Sequence, residues 1–132
     1  MTSVAPVAES SPYDRLGGEK VLRKLVQRFY QNMDQLADAR MIRNLHAEDL
    51  GSAEEKLFKF LSGWLGGPQL YWEEYGHPRL RMRHLPFAIG TRERDQWLLC
   101  MSHALDETVA DADFKRQLLA AFTQTADHMI NR

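Results

Sequence analysis

A histidine beside three arginines is the feature of this chain whose chemistry is easiest to interpret. His84 ends a short helical pattern just before Pro86, and Arg79, Arg81 and Arg83 precede it. Apolar residues flank the histidine on both sides: Leu80, Met82, Leu85 and Phe87. A neutral imidazole in an apolar slot with cations alongside can hold the metal of an anionic, mostly apolar cofactor such as haem. Taken alone, a histidine of this kind more often bonds a local backbone carbonyl.

The other histidines do not indicate a metal cluster. No pair has the His-x-x-x-His spacing of a helical zinc site. His77 precedes Pro78 in a predicted loop, and His103 and His128 fall on helix faces away from the apolar stripes. We therefore expect these three side chains to be solvated.

Composition restricts the chain to a few classes of protein. Its 132 residues suit one domain, and 17 basic against 18 acidic side chains exclude the basic footprint of a nucleic-acid binder or a polybasic membrane contact. One cysteine, Cys100, allows no internal disulfide, which favours a reducing cytoplasm. No apolar run reaches the roughly 20 residues that span a bilayer. Residues 1–12 resemble a disordered tail rather than a secretory signal, which leaves 13–132 as the folded domain.

Apolar residues at three- and four-residue steps predict helices throughout this domain, and no strand alternation is present. The first long helix runs to about residue 35. Ser52 and Glu55 have the spacing of a capping box for the second, which the Gly-Gly-Pro run at 66–68 ends. Residues 66–78 are predicted to form a loop, followed by a short helix over 79–84.

Two more long helices complete an all-α prediction with four main helices. Thr91 is the predicted cap of the third, with Glu93 in its first turn, and Asp111 or Asp113 starts the fourth. The third carries an apolar stripe from Trp97, and the fourth carries a stripe that continues to Met129.

In order and spacing, several motifs make the chain similar to one family. Phe29-Tyr30 lies on the first long helix, Leu-Gly-Gly-Pro at 65–68 ends the second, His84-Leu85-Pro86-Phe87 follows, and Trp97 lies thirteen residues beyond the histidine. From about residue 13 onward the chain resembles the group II truncated haemoglobins. The resemblance implies a globin-like two-over-two helical sandwich around one haem b (iron protoporphyrin IX), with His84 as the proximal iron ligand.

The same resemblance places Tyr30 and Trp97 on the opposite, ligand-binding face. A tyrosine hydroxyl and an indole N–H can each donate to O₂, which carries partial negative charge when bound. The alternatives are a core tyrosine with its hydroxyl at the surface and a tryptophan that only packs. His46 stands where relatives usually carry an aromatic residue against the haem, unless it is an exposed corner histidine. Ala53 and Leu57 are apolar where relatives often carry polar side chains, which removes two possible donors.

The expected surroundings of the haem follow from the same comparison. Phe60, Leu61, Leu80, Phe87 and Met101 should form its apolar wall, although helix periodicity explains most of them equally well as core. Cations or hydroxyls at the rim should meet the haem carboxylates. Lys56 and Arg83 are the first candidates and Arg79 and Tyr71 the next, with a solvated side chain as the alternative for each arginine.

The resemblance implies reversible binding of O₂, and of NO and CO, by a monomer or weak homodimer. The alternative is a redox enzyme, an NO dioxygenase or a peroxidase-like protein, which would need a separate reductase because no dinucleotide-binding motif is present. A helical interaction module without haem is a third possibility.

Overall fold

The computed structural model describes residues 11–132 and is helical in the way the apolar periodicity predicts. Most of the predicted tail, residues 1–10, lies outside the described residues. Ser11 and Pro12, assigned to that tail, instead begin the first helix: the Ser11 hydroxyl accepts from the Asp14 N–H at 3.1 Å. None of the helices within residues 11–132 is long and apolar enough to cross a membrane.

Eight α-helices and one 3₁₀ turn make up this part of the chain. They are α1 (Pro12–Leu16), α2 (Gly18–Gln35), the 3₁₀ turn (Ala37–Ala39), α3 (Arg40–Asn44), α4 (Gly51–Trp64), α5 (Leu70–Tyr75), α6 (Leu80–His84), α7 (Thr91–Thr108) and α8 (Ala112–Asp127). The long helices pack as α2 against α4 and α7, and α7 against α8. This gives the four predicted main helices, which are α2, α4, α7 and α8.

The core is formed where the apolar stripes of α2 and α7 meet. Leu22, Leu25 and Phe29 of α2 are fully buried, as are Met101 and Leu105 of α7. One polar residue ties the two helices together, because the buried Asn32 amide donates to the Cys100 carbonyl at 3.2 Å. Burying apolar side chains on one face of each helix stabilises helices that would be marginal in isolation.

The predicted start of α4 is wrong. No side chain caps this helix, whose cap position is Leu50, and the Asp49 carboxylate accepts from the Gly51 N–H at 2.8 Å. Glu55 points instead to α2, where it accepts from Arg23 at 2.5 Å. The Asp49 side chain, two residues before Gly51, thus bonds the first N–H group of the helix, where the Ser52–Glu55 spacing predicted a capping box.

The predicted loop over 66–78 contains a helix. Leu70–Tyr75 form α5 between Pro68 and Gly76, and the buried Tyr71 ring packs edge-on against Phe60 of α4. In the turn before α5 the backbone of Gly67 lies so close to the Tyr13 ring that only glycine fits, because a Cβ there would be 2.5 Å from the ring. The glycines and prolines that flank α5 hide it in the sequence, because six residues are too few to show a helical period.

The ends of the last three helices differ in small ways from the prediction. α6 starts at Leu80, since Arg79 has a left-handed backbone with φ 47°. Gly90, not Thr91, occupies the cap position of α7, and its N–H is bonded by the Glu93 carboxylate at 2.8 Å. Of the two predicted starts of α8, Asp111 is the cap: its carboxylate accepts from the N–H groups of the second and third helical residues.

Candidate functional site

One large apolar cavity opens among α4, α6, α7, α8 and the corner after α3. Its volume is about 230 Å³, whereas a cavity of about 10–15 Å³ is enough for one water molecule. Its apolar lining includes Leu45, Leu57, Phe60, Leu61, Trp64, Leu80, Phe87, Ile89, Trp97, Phe122, Ala126 and Met129. A space of this size and character suits a large apolar ligand.

His84 enters the cavity from the last residue of α6. Its ring is half-buried, and Nδ1 lies 2.7 Å from the Leu80 carbonyl oxygen. A carbonyl oxygen can only accept, so Nδ1 carries a proton, and in the neutral imidazole Nε2 is then the nitrogen with the lone pair. This is the state in which an imidazole binds a metal, with the second nitrogen oriented by a backbone carbonyl.

Tyr30 and Trp97 line the same cavity. The Tyr30 hydroxyl donates to the Ala53 carbonyl at 3.3 Å, which is a long hydrogen bond that a better acceptor could replace. Burial, and secondarily the Glu54 carboxylate, holds the pKa of Tyr30 well above its usual range, so the hydroxyl keeps its proton. The Trp97 ring lies 4.9 Å from the ring of Phe29 on α2, measured between centroids.

A second histidine reaches the cavity from the corner after α3. His46 Nδ1 lies 2.9 Å from the Ile42 carbonyl oxygen, and its ring meets the Tyr30 ring edge-on at 5.9 Å. Burial lowers the pKa of His46 against the opposing effect of the Ile42 bond, and the charges of Arg43 and His84 lower it further. His46 is therefore a neutral, half-buried imidazole at the site and not an exposed corner residue.

The apolar residues predicted for the haem wall, together with Ala53 and Leu57 predicted for the ligand-binding face, divide into two groups. Leu57, Phe60, Leu61, Leu80 and Phe87 line the cavity. Met101 belongs to the core between helices, where it is fully buried, and Ala53 contributes its carbonyl to Tyr30 rather than its side chain to the cavity.

None of the four residues predicted for the rim lines the cavity. Arg83 donates through Nε to the Pro78 carbonyl at 2.8 Å, and its guanidinium lies 5.8 Å from the centre of the buried Tyr71 ring. Lys56 is exposed, with Nζ 5.9 Å from the Tyr75 ring centre. Arg79 is exposed at the turn before α6. Lys56 and Arg79 are exposed cations, whereas Arg83 is held by the Pro78 carbonyl and Tyr71 by its packing against Phe60.

Sequence reasoning missed the contribution of α8 and the start of α7. Phe122 and Thr125 line the cavity, and Phe122 stacks on Trp64 with ring centroids 4.8 Å apart. Arg94 also lines it and is held by Asp127 at 2.6 Å and Asp95 at 3.0 Å. The available signal was the apolar stripe of α8, which continues past Phe122 to Ala126 and Met129.

The residues of the cavity fit the haem that the family resemblance implies. The walls are apolar, the His84 imidazole bonds a carbonyl through Nδ1 and so leaves Nε2 for a metal, and the exposed Arg79 and Arg83 adjoin in sequence the α6 residues that line the cavity. An apolar macrocycle with a central metal and acidic edge substituents would be complemented by all three features.

Comparison with known proteins gives the same picture for nearly the whole chain. Residues 11–131 match the family model described as bacterial-like globin. The chain is 38% identical over 123 residues to the group 2 truncated hemoglobin YjbI of Bacillus subtilis, covering 93% of this chain and 90% of that protein. Its fold is similar to that of a group II 2-on-2 hemoglobin from Agrobacterium tumefaciens, with TM-score 0.89 and 43% identity over 92% of this chain and 94% of the other. The structure of a truncated oxygen-avid haemoglobin from Bacillus subtilis is also similar, with TM-score 0.84 and 38% identity over 92% of this chain and 99% of the other.

Proposed function

Because the chain belongs to the bacterial-like globin family, as a group II truncated haemoglobin, we propose that it binds haem b through His84 and uses it to bind O₂ reversibly. NO and CO should bind at the same place. The observation that carries the proposal is the position of His84 at the end of α6, where a half-buried ring lines the cavity and bonds the Leu80 carbonyl through Nδ1, which leaves Nε2 for a metal. When bound, the haem iron supplies an open coordination position for a diatomic gas.

The chain itself supplies the groups that would retain such a ligand. Tyr30 and Trp97 both line the cavity, and each carries one hydrogen-bond donor. Each such bond contributes about 0.5–1.5 kcal/mol, and a tenfold change in rate corresponds to about 1.4 kcal/mol. Two donors would therefore slow ligand release by about one to two orders of magnitude. His46, next to Tyr30, is a third polar group at the same end of the cavity.

Slow release favours scavenging, sensing or redox chemistry over bulk transport of O₂. A similar protein from Bacillus subtilis is described as oxygen-avid, which agrees with the presence of internal donors here. We propose the same behaviour for this chain, to be measured as the O₂ dissociation rate of the ferrous protein.

The test of haem ligation is optical. Ferric, ferrous and CO-saturated spectra of the wild type should differ from those of His84→Ala, because the variant loses the axial nitrogen. His103→Ala is the matched control, since His103 is exposed on α7 and should give wild-type spectra. Wild-type spectra from His84→Ala would show that another residue is the axial ligand. A folded preparation with no Soret band would reject haem binding altogether.

Redox turnover is the second candidate function, because donors that polarise O₂ would also assist NO dioxygenation or a peroxidase-like reaction. The chain would then need electrons from a separate reductase. Stopped-flow mixing of the O₂-saturated ferrous protein with NO, repeated with a supplied reductant, distinguishes the two functions. Sustained turnover supports an enzyme, and a single stoichiometric reaction supports ligand binding alone.

A further inference from the structure

The segment after α8 is fastened to the stretch that follows His84. The Asn131 side-chain amide donates to the carbonyl of Phe87 at 2.9 Å and to the carbonyl of His84 itself at 3.3 Å. Its carbonyl oxygen accepts from the Ile89 N–H at 3.0 Å. The Asn131 backbone N–H completes the set by donating to the Ile89 carbonyl at 2.8 Å. One residue thus makes four hydrogen bonds to a stretch more than forty positions earlier in the chain.

The orientation of this amide follows from its partners. Backbone N–H groups only donate and carbonyl oxygens only accept, so the Asn131 nitrogen must face His84 and Phe87 while its oxygen faces Ile89. No other standard side chain of this size offers donors and an acceptor in the same plane. The contact is therefore specific for asparagine rather than for any small polar residue.

The helix that carries His84 needs such support. α6 has five residues, contributes none to the core, and starts from a left-handed Arg79 with no side-chain cap. A helix of this length has too few internal hydrogen bonds to persist alone. A second tie comes from Arg81, which donates to the carbonyls of His128 at 2.6 Å and Ile130 at 3.0 Å. Among the described residues, every hydrogen bond from 77–89 to a distant part of the chain ends on this segment.

We propose that Asn131 is a positioning residue for the axial histidine, fixing the His84 backbone from which the ring would reach the haem iron. The proposal rests on haem ligation by His84 as set out above. Two bonds then define the ligand: the Leu80 carbonyl orients the ring, and Asn131 places the backbone from which the ring extends. Groups that orient a metal ligand in this way typically change metal affinity or activity by about 10- to 100-fold when removed.

Two substitutions separate positioning from general support. Asn131→Ala removes the donors and the acceptor, while Asn131→Asp keeps an acceptor for the Ile89 N–H and loses the donors to His84 and Phe87. Asn44→Asp, at the exposed end of α3, is the matched control for the added charge. The readouts are the iron–histidine stretching frequency of the ferrous protein by resonance Raman spectroscopy and the rate of haem transfer to an excess of apomyoglobin.

Both Asn131 variants should shift the stretching frequency and lose haem about tenfold faster than the wild type, and Asn44→Asp should do neither. Hydrogen exchange of the Ile89 amide in the haem-free protein should quicken in Asn131→Ala but stay protected in Asn131→Asp. If Asn131→Ala does not fold, the Asn131→Asp spectrum decides alone.

The inference would be overturned by variants that unfold at lower temperature while the stretching frequency and haem-transfer rate stay at wild-type values, because Asn131 would then be only structural. This result differs from failure of the proposed function. In that case the wild type takes up no haem or His84→Ala keeps the wild-type spectra, whatever Asn131 does.

Discussion

At the scale of single residues, two histidines in the cavity share the same local chemistry. His84 and His46 each bond through Nδ1 to the carbonyl four residues earlier, at 2.7 and 2.9 Å. In the neutral form of either ring, Nε2 is therefore the nitrogen with the lone pair. What distinguishes them is position, because His84 ends α6 on one side while His46 packs against Tyr30 on another. The tautomer alone does not identify the metal ligand.

Tyr30→Phe tests the donor role of the buried hydroxyl. We expect O₂ to dissociate about tenfold faster from the variant, because one hydrogen bond of about 1.4 kcal/mol is lost. The pKa of Tyr30 is raised by burial and by Glu54, so the wild-type rate should show no tyrosine titration up to pH 10. Stopped-flow displacement of O₂ by CO measures both, with Tyr75→Phe, exposed on α5, as control. A rate for Tyr30→Phe within twofold of the wild type contradicts the role.

Cys100 should be chemically inert in the folded protein. Burial raises the pKa of its thiol to about 11, and the side chain is fully buried. At pH 8 about one thiol in a thousand is ionised, and only the thiolate is a nucleophile. We expect negligible reaction with Ellman's reagent at pH 8 and one equivalent of thiol after unfolding in guanidinium. Rapid labelling of the native protein would show that α7 opens locally.

Burial makes the pKa of the Cys100 thiol higher in the folded than in the unfolded protein, so this group lowers stability only as the solution becomes alkaline. Its contribution is complete below the unfolded value of about 8.5 and is lost as the pH rises through 11. This thiol therefore adds no pH dependence to the stability at neutral pH or in acid.

At the scale of helices, the start of α8 shows what a single capping group contributes. The Asp111 carboxylate bonds two N–H groups at the start of α8, at 2.9 and 3.2 Å. Asp111→Ala should lower the free energy of unfolding by about 1 kcal/mol and the melting temperature by about 4 °C. Circular dichroism melting measures this, with Asp38→Ala, exposed in the 3₁₀ turn, as the reference. Equal melting temperatures for the two variants would remove the capping role.

α6 is the opposite case, a helix that its own sequence does not stabilise. Its residues are exposed or half-buried, and its ties to the distant chain are Arg81 and the bonds of Asn131 beyond its end. Local opening is easiest in elements with few buried apolar contacts. The ligand-bearing helix is therefore the element whose position depends most on the rest of the fold.

At the scale of the whole molecule, an open apolar cavity in the fold couples ligand binding to stability. A ligand that binds only the folded state at a free concentration 100 times its Kd adds about 2.7 kcal/mol. Haem at that ratio should raise the melting temperature by roughly 10 °C, since 1 kcal/mol shifts a domain of this size by about 4 °C. Calorimetry of haem-free and haem-loaded protein measures the shift. His84→Ala should reduce it, and an unchanged shift in that variant would separate stabilisation from axial ligation.

Much of the fold was predictable because its signals are local. The spacing of Leu22, Leu25 and Phe29 predicts α2 and its buried face, and Asp111 predicts the start of α8. The family match over residues 11–131 and the similarity to a 2-on-2 hemoglobin confirm the predicted group II truncated haemoglobin and its globin-like sandwich. Short elements such as α5 escaped prediction, because six residues cannot show a period.

The sequence was sufficient for the long helices, for the order of the motifs and for the histidine before the proline, since these depend on neighbours within a few residues. Packing was needed to decide which apolar residues border the cavity: Met101 lies in the core, whereas Phe122 and Thr125 form the wall. Packing also brought Asn131 to His84. A helical stripe shows which face is apolar, but only the distant segments that meet it determine whether that face touches a neighbour or an open space.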